Sequence, residues 1–336
     1  MRIAVFSAKP YDAETLQASN AARGDPHDFV FLQPHLAADT AMLAQDVDAV
    51  CAFVNDDLDA STLQVLAGQG VRLILMRCAG FNNVDVGEAE KLGLAIGRVP
   101  AYSPHAVAEH TVALILALNR RLHRAYNRVR EGNFALDGLM GFDLHGKSVG
   151  VIGTGRIGVC AIRILAGFGC EVLAHDPQPS DEAIAAGARY LPLDDLLGAV
   201  QIVTLHCPLT PQTHHVIDAA ALRAMRPGSM LINTSRGGLI DTREVIASLK
   251  SGHLGGLAID VYEEEGDLFF ENLSGQVLQD DVFARLLTFP NVLVTGHQAF
   301  FTAEALEAIA RTTLDNADAF ARSGKPVHPV TGEMVA

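Results

Sequence analysis

The chain has few basic residues and few cysteines for its length. Its 336 residues include 25 Lys and Arg against 39 Asp and Glu, which gives a formal charge of −14. This balance argues against nucleic acid or an anionic membrane as partner, because both require a basic surface. The five cysteines are odd in number and lack C-x-x-C spacing. We therefore expect no disulfide framework, no metal site and a reducing compartment.

Long hydrophobic runs are also missing. No segment reaches the ~18 uninterrupted apolar residues of a membrane span. The N-terminal MRIAVFSAKP is too short in its apolar part for a signal peptide and is more typical of a first strand. The composition, 49% hydrophobic and 19% charged, is that of a globular chain. The sequence predicts a cytoplasmic protein of about two domains.

Short apolar runs alternate with helical stretches almost from end to end. Continuous apolar strands separated by helices indicate α/β domains with doubly wound parallel sheets covered on both faces. The first series predicts strands at Arg2–Ser7, Phe29–Leu32, Ala49–Val54, Arg72–Met76 and Leu94–Gly97. The second predicts six, at Ser148–Ile152, Glu171–Ala174, Ile202–Leu205, Ser229–Asn233, Gly256–Ile259 and Val292–Val294.

One long helix is predicted from Pro104 to about Arg130, between the two series. Its first half is almost wholly apolar, so we expect it to be buried between domains or subunits, which favours an oligomer. Its second half carries five arginines. Because the chain is acidic overall, we interpret this half as a solvated or subunit-pairing face.

A glycine motif follows the first strand of the second series. SVGVIGTGRIG places Gly153, Gly155 and Gly158 in the G-x-G-x-x-G spacing between a strand and a helix. The first glycine permits a tight turn, the second lets the backbone approach a pyrophosphate, and the third allows helix and strand to pack closely. The pattern predicts a dinucleotide site at the helix N-terminus.

Asp176 lies 176 − 153 = 23 residues after the first glycine. A carboxylate at this spacing accepts the ribose hydroxyls and repels a 2′-phosphate, which predicts NAD in preference to NADP. The alternative is that Asp176 only begins a turn. Arg156 either contacts a phosphate oxygen or is solvated.

Three further segments follow strands of the second series, where α/β sheets bind ligands. They are NTSRGGLID, IDVYEEE and TGHQAF. A 2-oxo acid needs a fixed cation for its carboxylate and a proton donor for its carbonyl. Arg236 suits the first because guanidinium bonds carboxylates in a bidentate manner. His297 suits the second because imidazole exchanges protons near neutral pH, and a paired carboxylate would orient it.

With these segments the chain resembles the D-2-hydroxyacid dehydrogenases over essentially its whole length, and more narrowly the bacterial fermentative D-lactate dehydrogenases. The shared stretches are AVCAFVNDDL, RCAGFNNVD, RVPAYSPHAVAEH, VIGTGRIG, LHCPLTPQT, NTSRGGLID, DVYEEE with DLFF, and TGHQAF. The resemblance implies that Arg236, Glu265 and His297 are catalytic. Within the run Glu263–Glu265, spacing alone leaves open which carboxylate faces His297.

The resemblance also implies further contacts. Substrate would be bound by Cys78, Ala79, Tyr102, Arg236, His297 and Phe300, although ordinary core packing is an alternative for Phe300. NAD would be bound by Gly153, Gly155, Arg156, Ile157, Gly158, Asp176, Cys207, Pro208, Thr213, Thr234, Ser235, Arg236 and Asp260. Relatives often carry Asn at position 213. Cys78 and Cys207 are interpreted as packing residues, since no paired base is evident.

The implied architecture is a Rossmann NAD domain, residues 101–298, inserted into a flavodoxin-like substrate domain, residues 1–100 plus 299–336. The implied reaction is reversible reduction of pyruvate to D-lactate by NADH. Alternatives are reduction of hydroxypyruvate, glyoxylate or phenylpyruvate, or an NAD-sensing binding protein on the same fold. The expected partners are a small 2-oxo or 2-hydroxy acid and a second copy of the chain, as a dimer or tetramer.

Overall fold

The chain divides into two compact units. The structure is a computed structural model that describes residues 1–334, apart from the side chain of Asp267. The first unit combines Met1–Ser103 with the chain from Phe301 onward, and the second unit is Pro104–Phe300. No helix within the described residues is long and apolar enough to cross a membrane.

Strands alternate with helices along both units. The strands are β1 (Arg2–Val5), β2 (Asp28–Phe31), β3 (Ala49–Ala52), β4 (Leu73–Met76), β5 (Ala95–Arg98), β6 (Ser148–Ile152), β7 (Glu171–His175), β8 (Arg189–Tyr190), β9 (Ile202–Leu205), β10 (Met230–Asn233), β11 (Gly256–Ile259) and β12 (Val292–Val294). The helices are α1 (Pro10–Ala21), α2 (Ala60–Gly68), α3 (Val86–Lys91), α4 (Pro104–Asn119), α5 (Leu122–Arg130), α6 (Arg156–Gly167), α7 (Asp181–Ala185), α8 (Leu193–Ala199), α9 (Ala219–Ala224), α10 (Thr242–Ser251), α11 (Asp281–Leu287) and α12 (Ala303–Ser323).

The first unit contains a five-stranded parallel sheet in the order β2-β1-β3-β4-β5. Every residue of β3 and β4 is buried, as expected for central strands covered on both faces. Its core joins Ile3 and Leu75 of the sheet to Leu16 of α1 and Leu314 of α12. The last helix of the chain therefore completes the unit that the first strand begins.

The second unit contains a seven-stranded parallel sheet in the order β12-β11-β10-β9-β6-β7-β8. The chain enters at β6, runs outward to β8, and then returns to the other side of β6 and continues to β12. The reversal beside β6 is the switch point at which α/β sheets bind ligands, at the carboxyl ends of their strands. The loops after β6, β7, β9, β10, β11 and β12 therefore lie along one edge of this sheet.

The structure confirms the predicted α/β class with two parallel sheets. The predicted count of six strands in the second sheet is wrong, because β8 forms a seventh strand at its edge. The predicted helix from Pro104 to Arg130 is also wrong as a single element. It breaks at Arg121, whose φ of 50° lies in the left-handed region and ends the helical path.

The apolar half of the predicted helix, which is α4, is buried as expected. Its partners, however, are α6 and the strands β10, β11 and β12 of its own unit. Val112, Ile115 and Leu118 join Val149 and Val151 in one core cluster. The exposed apolar side chains follow on α5 and the segment after it, among them Tyr126, Phe134, Leu136 and Met140.

Candidate active site

The glycine motif forms a tight passage from β6 into α6. Gly153 has a φ of 95°, and a Cβ there would lie 2.4 Å from the backbone nitrogen of Cys207. A Cβ on Gly158 would lie 2.1 Å from the carbonyl oxygen of Gly153. Both positions therefore require glycine. A Cβ on Gly155 would instead meet nothing within 4 Å.

Gly155 is also the N-cap of α6, and it provides no side chain to cap the first amides of the helix. Amides at a helix N-terminus, together with the helix dipole, favour an anion such as a pyrophosphate. Open space at Gly155 leaves room for that anion. The geometry of this turn therefore fits a dinucleotide. Arg156 is exposed at the start of α6, and Ile157 beside it is half-buried.

Asp176 follows β7 and faces the glycine turn. Its Oδ2 accepts the backbone N–H of Thr154 at 2.7 Å, and its Oδ1 accepts the N–H of Gln178 at 2.9 Å. The second bond is the turn that the sequence offered as an alternative role. The first ties the carboxylate to the glycine motif, so a turn alone does not account for the position of Asp176.

The loop after β9 contains the predicted residues Cys207, Pro208 and Thr213. The hydroxyl of Thr213 donates to the carbonyl of Pro208 at 2.6 Å and accepts the N–H of Thr210 at 2.8 Å, so it closes this loop on itself. Burial raises the pKa of Cys207 to about 11. The Cys207 thiol is therefore protonated at neutral pH, as expected of a packing residue.

Arg236 lies at the end of β10, where the side chain of Asn233 shapes the loop. Asn233 accepts the N–H of Ser235 at 3.0 Å and donates to the carbonyl of Arg236 at 2.8 Å. The Ser235 hydroxyl donates to the Cys207 carbonyl at 2.7 Å, which joins the loops after β9 and β10. Thr234 bonds Thr111 of α4 at 2.8 Å.

The guanidinium of Arg236 is half-buried, and its Nη1 donates to the carbonyl of Ser235 at 2.7 Å. Across the described part of the chain, no carboxylate forms an ion pair with it. A partly buried cation without a carboxylate partner is suited to bind an anionic ligand.

His297 follows β12 in a left-handed backbone conformation, with a φ of 51°. Its Nδ1 lies 2.7 Å from Oε1 of Glu265, and Glu265 also accepts the N–H of Tyr262 through Oε2 at 2.9 Å. In the described residues no protein atom hydrogen-bonds the other ring nitrogen, Nε2. Glu265 therefore fixes the orientation of the ring through Nδ1.

Asp260, at the end of β11, holds the loop that presents His297. Its carboxylate accepts the N–H groups of Gln298 and Ala299 at 2.9 and 2.8 Å, and the Thr295 hydroxyl at 2.5 Å. His110 of α4 lies 3.4 Å away. Burial alone would raise the pKa of Asp260, but the hydrogen bonds from His110, Thr295 and the two amides outweigh it and hold the pKa low.

The structure thus brings Glu265, His297 and Asp260 into contact and places Arg236 at the neighbouring strand end. Phe300, the last residue of the second unit, is buried. Cys78, Ala79 and Tyr102 belong to the first unit, where the Cys78 thiol donates to the Gly80 carbonyl and Arg98 donates to that of Ala79. No role was predicted for His110, Thr295 or Tyr262. His110 lies within the shared stretch RVPAYSPHAVAEH, which is the signal that could have found it.

One sheet edge thus carries a glycine turn suited to a dinucleotide, a carboxylate tied to that turn, a cation, and an imidazole paired with a glutamate. Hydride transfer from a nicotinamide, coupled to proton transfer, needs this combination. The fold and site define the second unit as the cofactor-binding part of a nicotinamide-dependent dehydrogenase.

Comparisons with known proteins give the family. A family model described as "D-isomer specific 2-hydroxyacid dehydrogenase, NAD binding domain" matches residues 112–299. A D-lactate dehydrogenase of Curvularia clavata is 54% identical over 324 residues, which cover 96% of this chain and 93% of the relative. The chain belongs to the D-isomer-specific 2-hydroxyacid dehydrogenase family, and its cofactor is NAD. The resemblance drawn from the sequence is confirmed.

Solved structures give the same result. The apo-structure of D-lactate dehydrogenase from Escherichia coli has a TM-score of 0.90 at 46% identity, and the match covers 98% of this chain and 100% of that one. The pyruvate reductase of Chlamydomonas reinhardtii has a TM-score of 0.91 at 45% identity, with 97% and 98% covered.

Proposed function

We propose that this protein is an NAD-dependent D-lactate dehydrogenase, which reversibly converts pyruvate, NADH and a proton into D-lactate and NAD⁺. The observation that carries the proposal is the 2.7 Å contact between Nδ1 of His297 and Glu265, which leaves Nε2 able to exchange a proton. The similarity to proteins named D-lactate dehydrogenase and pyruvate reductase favours pyruvate among the 2-oxo acids.

Three side chains would bind the substrate and transfer the proton. Arg236 binds the carboxylate of the 2-oxo acid through its guanidinium and polarises the adjacent carbonyl. His297 donates a proton from Nε2 to the carbonyl oxygen, and in the reverse direction it accepts that proton. Glu265 stabilises the positive charge of the proton-carrying imidazole and fixes its orientation. NADH, when bound, supplies the hydride.

The remaining predicted contacts are part of the same proposal. The predicted substrate contacts are Cys78, Ala79, Tyr102 and Phe300. The first unit would accordingly act as the substrate domain. The cofactor contacts would include Gly155, Asp176, Cys207, Pro208, Thr213, Thr234, Ser235 and Asp260, of which Asp260 has its carboxylate engaged with the His297 loop.

A panel of 2-oxo acids tests the proposal. NADH oxidation would be followed with pyruvate, hydroxypyruvate, glyoxylate and phenylpyruvate, and the product of the best substrate would be analysed on a chiral column. We expect the highest kcat/KM with pyruvate and D-lactate as the product. A higher kcat/KM with a bulkier acid would reassign the substrate. NADH binding without turnover on any acid would indicate an NAD-sensing protein.

We also propose that the protein acts in the cytoplasm as a homo-oligomer. The five cysteines are odd in number and lack C-x-x-C spacing, which favours a reducing compartment. Leu136 and Met140 are 82% and 88% exposed. A second copy of the chain would remove this apolar surface from water. Size measurement in solution would separate monomer, dimer and tetramer.

A further inference from the structure

A chain of hydrogen bonds runs from Ser180, the N-cap of α7, to the carboxylate of Asp176. The N–H of Ser180 lies 2.8 Å from the Tyr190 hydroxyl, which lies 2.7 Å from Oγ1 of Thr154. Oγ1 of Thr154 lies 3.2 Å from Oδ2 of Asp176. Tyr190 comes from the two-residue strand β8, and Thr154 is the second residue of the glycine motif.

The direction of every bond in this chain is fixed by chemistry. A backbone N–H can only donate, so the Tyr190 oxygen accepts from Ser180 and keeps its own proton to donate. Thr154 then accepts from Tyr190 and directs its own proton to the carboxylate, which can only accept when ionised. If the bond between the two hydroxyls were reversed, Thr154 would have no proton left to donate to the carboxylate.

The polar groups around Asp176 are consequently committed. Oδ2 receives both the N–H and the hydroxyl of Thr154, and Oδ1 receives the N–H of Gln178. A carboxylate offers about four acceptor sites, so about one remains, on Oδ1. That site can accept a ribose hydroxyl. A doubly ionised phosphate has only acceptors to offer, and the backbone N–H groups and hydroxyls named here already donate to other atoms.

We propose that Tyr190 and Thr154 are positioning residues that set the preference of this cofactor site for a ribose diol over a 2′-phosphorylated ribose. Tyr190 orients the Thr154 hydroxyl, and Thr154 holds the Asp176 carboxylate in the one position that accepts a hydroxyl and opposes a phosphate. The inference rests on the proposed role of Asp176. It adds that the selectivity depends on a residue of β8 that acts only through Thr154.

Binding of two nucleotides to the full chain tests this without catalysis. Titration calorimetry would give dissociation constants for ADP-ribose and for 2′-phospho-ADP-ribose, and their ratio is the selectivity. Each net hydrogen bond contributes about 3- to 10-fold in an equilibrium constant. We therefore expect Tyr190→Phe and Thr154→Val each to lower the selectivity about 3- to 10-fold, mainly by weakening ADP-ribose binding.

Two further predictions follow from the hydrogen bonds that connect Tyr190 to Asp176 through Thr154. Because Tyr190 acts through Thr154, the double variant that combines Tyr190→Phe with Thr154→Val should show the selectivity of Thr154→Val alone. Thr154→Ser keeps the hydroxyl and should retain most of the selectivity, which a purely structural role of Thr154 would not require. Tyr126→Phe is the matched control, because it removes a phenol on α5 that accepts a hydrogen bond from Arg130 and should leave the ratio unchanged.

Asp176→Ala separates this inference from the proposed function. It should abolish most of the selectivity, whatever 2-oxo acid the enzyme reduces. Unchanged selectivity in Tyr190→Phe and Thr154→Val, with melting temperatures lowered, would make both residues structural and overturn the inference. Additive losses in the double variant would also overturn it, because the two residues would then act separately. Unchanged selectivity in Asp176→Ala would show that this carboxylate does not determine the selectivity, and the inference would then fail.

Discussion

Glu263 and Glu265 are two residues apart, and each contacts a different histidine. Glu265 lies 2.7 Å from Nδ1 of His297, whereas Glu263 lies 2.7 Å from Nε2 of His215. The other oxygen of Glu263 accepts the N–H and the hydroxyl of Thr242 at 3.0 and 2.6 Å, which ties this loop to the start of α10. The two carboxylates thus have different partners. Glu265 contacts the proposed proton donor, and Glu263 anchors the loop that carries Glu265.

The two glutamates should therefore respond differently to the same change. Glu265→Gln removes the negative charge beside His297 and should lower kcat about 10- to 100-fold, since a charge-assisted hydrogen bond contributes about 1.5–3 kcal/mol. Glu263→Gln should mainly lower the melting temperature. Steady-state kinetics and calorimetry on both variants check this. A larger loss of kcat in Glu263→Gln than in Glu265→Gln would reverse the assignment.

His297→Ala tests the proton donor directly. Without the imidazole the carbonyl oxygen has no acid, and general acid–base catalysis contributes about 10²–10⁴-fold. We expect turnover to fall by that factor while NADH still binds, as measured by quenching of its fluorescence on titration. His145→Ala, at the amino end of β6, removes an exposed histidine and serves as the control. Undiminished turnover in His297→Ala would exclude His297 from the role.

Gly237 lies where the loop after β10, which carries Arg236, packs against the loop after β11, which carries Glu265. A Cβ there would lie 2.1 Å from the carbonyl carbon of Tyr262 and 2.3 Å from the nitrogen of Glu263. These are backbone atoms, so Gly237→Ala must push the two loops apart. We expect a loss of about 1–3 kcal/mol in unfolding free energy and a fall in kcat/KM. Gly275→Ala, with nothing within 4 Å of its Cβ, should change neither measurement.

Much of the fold was predictable because buried parallel strands are continuous apolar runs. β6, β9, β11 and β12 begin and end where the sequence placed them. β8 was not predictable, because a strand of two residues is too short to show the hydrophobic pattern of a strand. The break at Arg121 was hidden because a helical pattern continues through it, and a left-handed arginine has no sequence signal.

Some residues of the candidate site could likewise be located from the sequence, and others could not. Gly153, Asp176 and Arg236 follow strand ends closely, so motif spacing located them. His110 was given no role, because its contact with Thr295 joins residues 185 positions apart. Tyr190 was missed for a related reason, because its hydroxyl reaches Thr154 across 36 positions. Contacts of this kind depend on the packing of whole elements, which a single sequence does not reveal.

Asp260 should make stability depend on pH at the acid end. Burial alone would raise its pKa, but the hydrogen bonds of the folded state hold it below the usual value. A depressed pKa contributes stability above the unfolded value of about 3.9, and this contribution is lost as the pH falls through the folded pKa. The melting temperature of Asp260→Asn should therefore lie below that of the wild type at pH 6, with a smaller difference near pH 3. A constant difference would contradict the linkage.

The exposed apolar surface after α5 should decide the oligomeric state. Leu136 and Met140 are 82% and 88% exposed, and burial of apolar surface contributes roughly 25 cal/mol per Å². Leu136→Ser with Met140→Ser should therefore shift the protein toward monomers, as measured by sedimentation velocity over a range of concentrations. Val277 is 81% exposed elsewhere in the second unit, and Val277→Ser should leave the oligomer intact. If the wild type sediments as a monomer at every concentration, or if the double variant assembles as the wild type does, this surface is not the interface, and the association proposed from it fails.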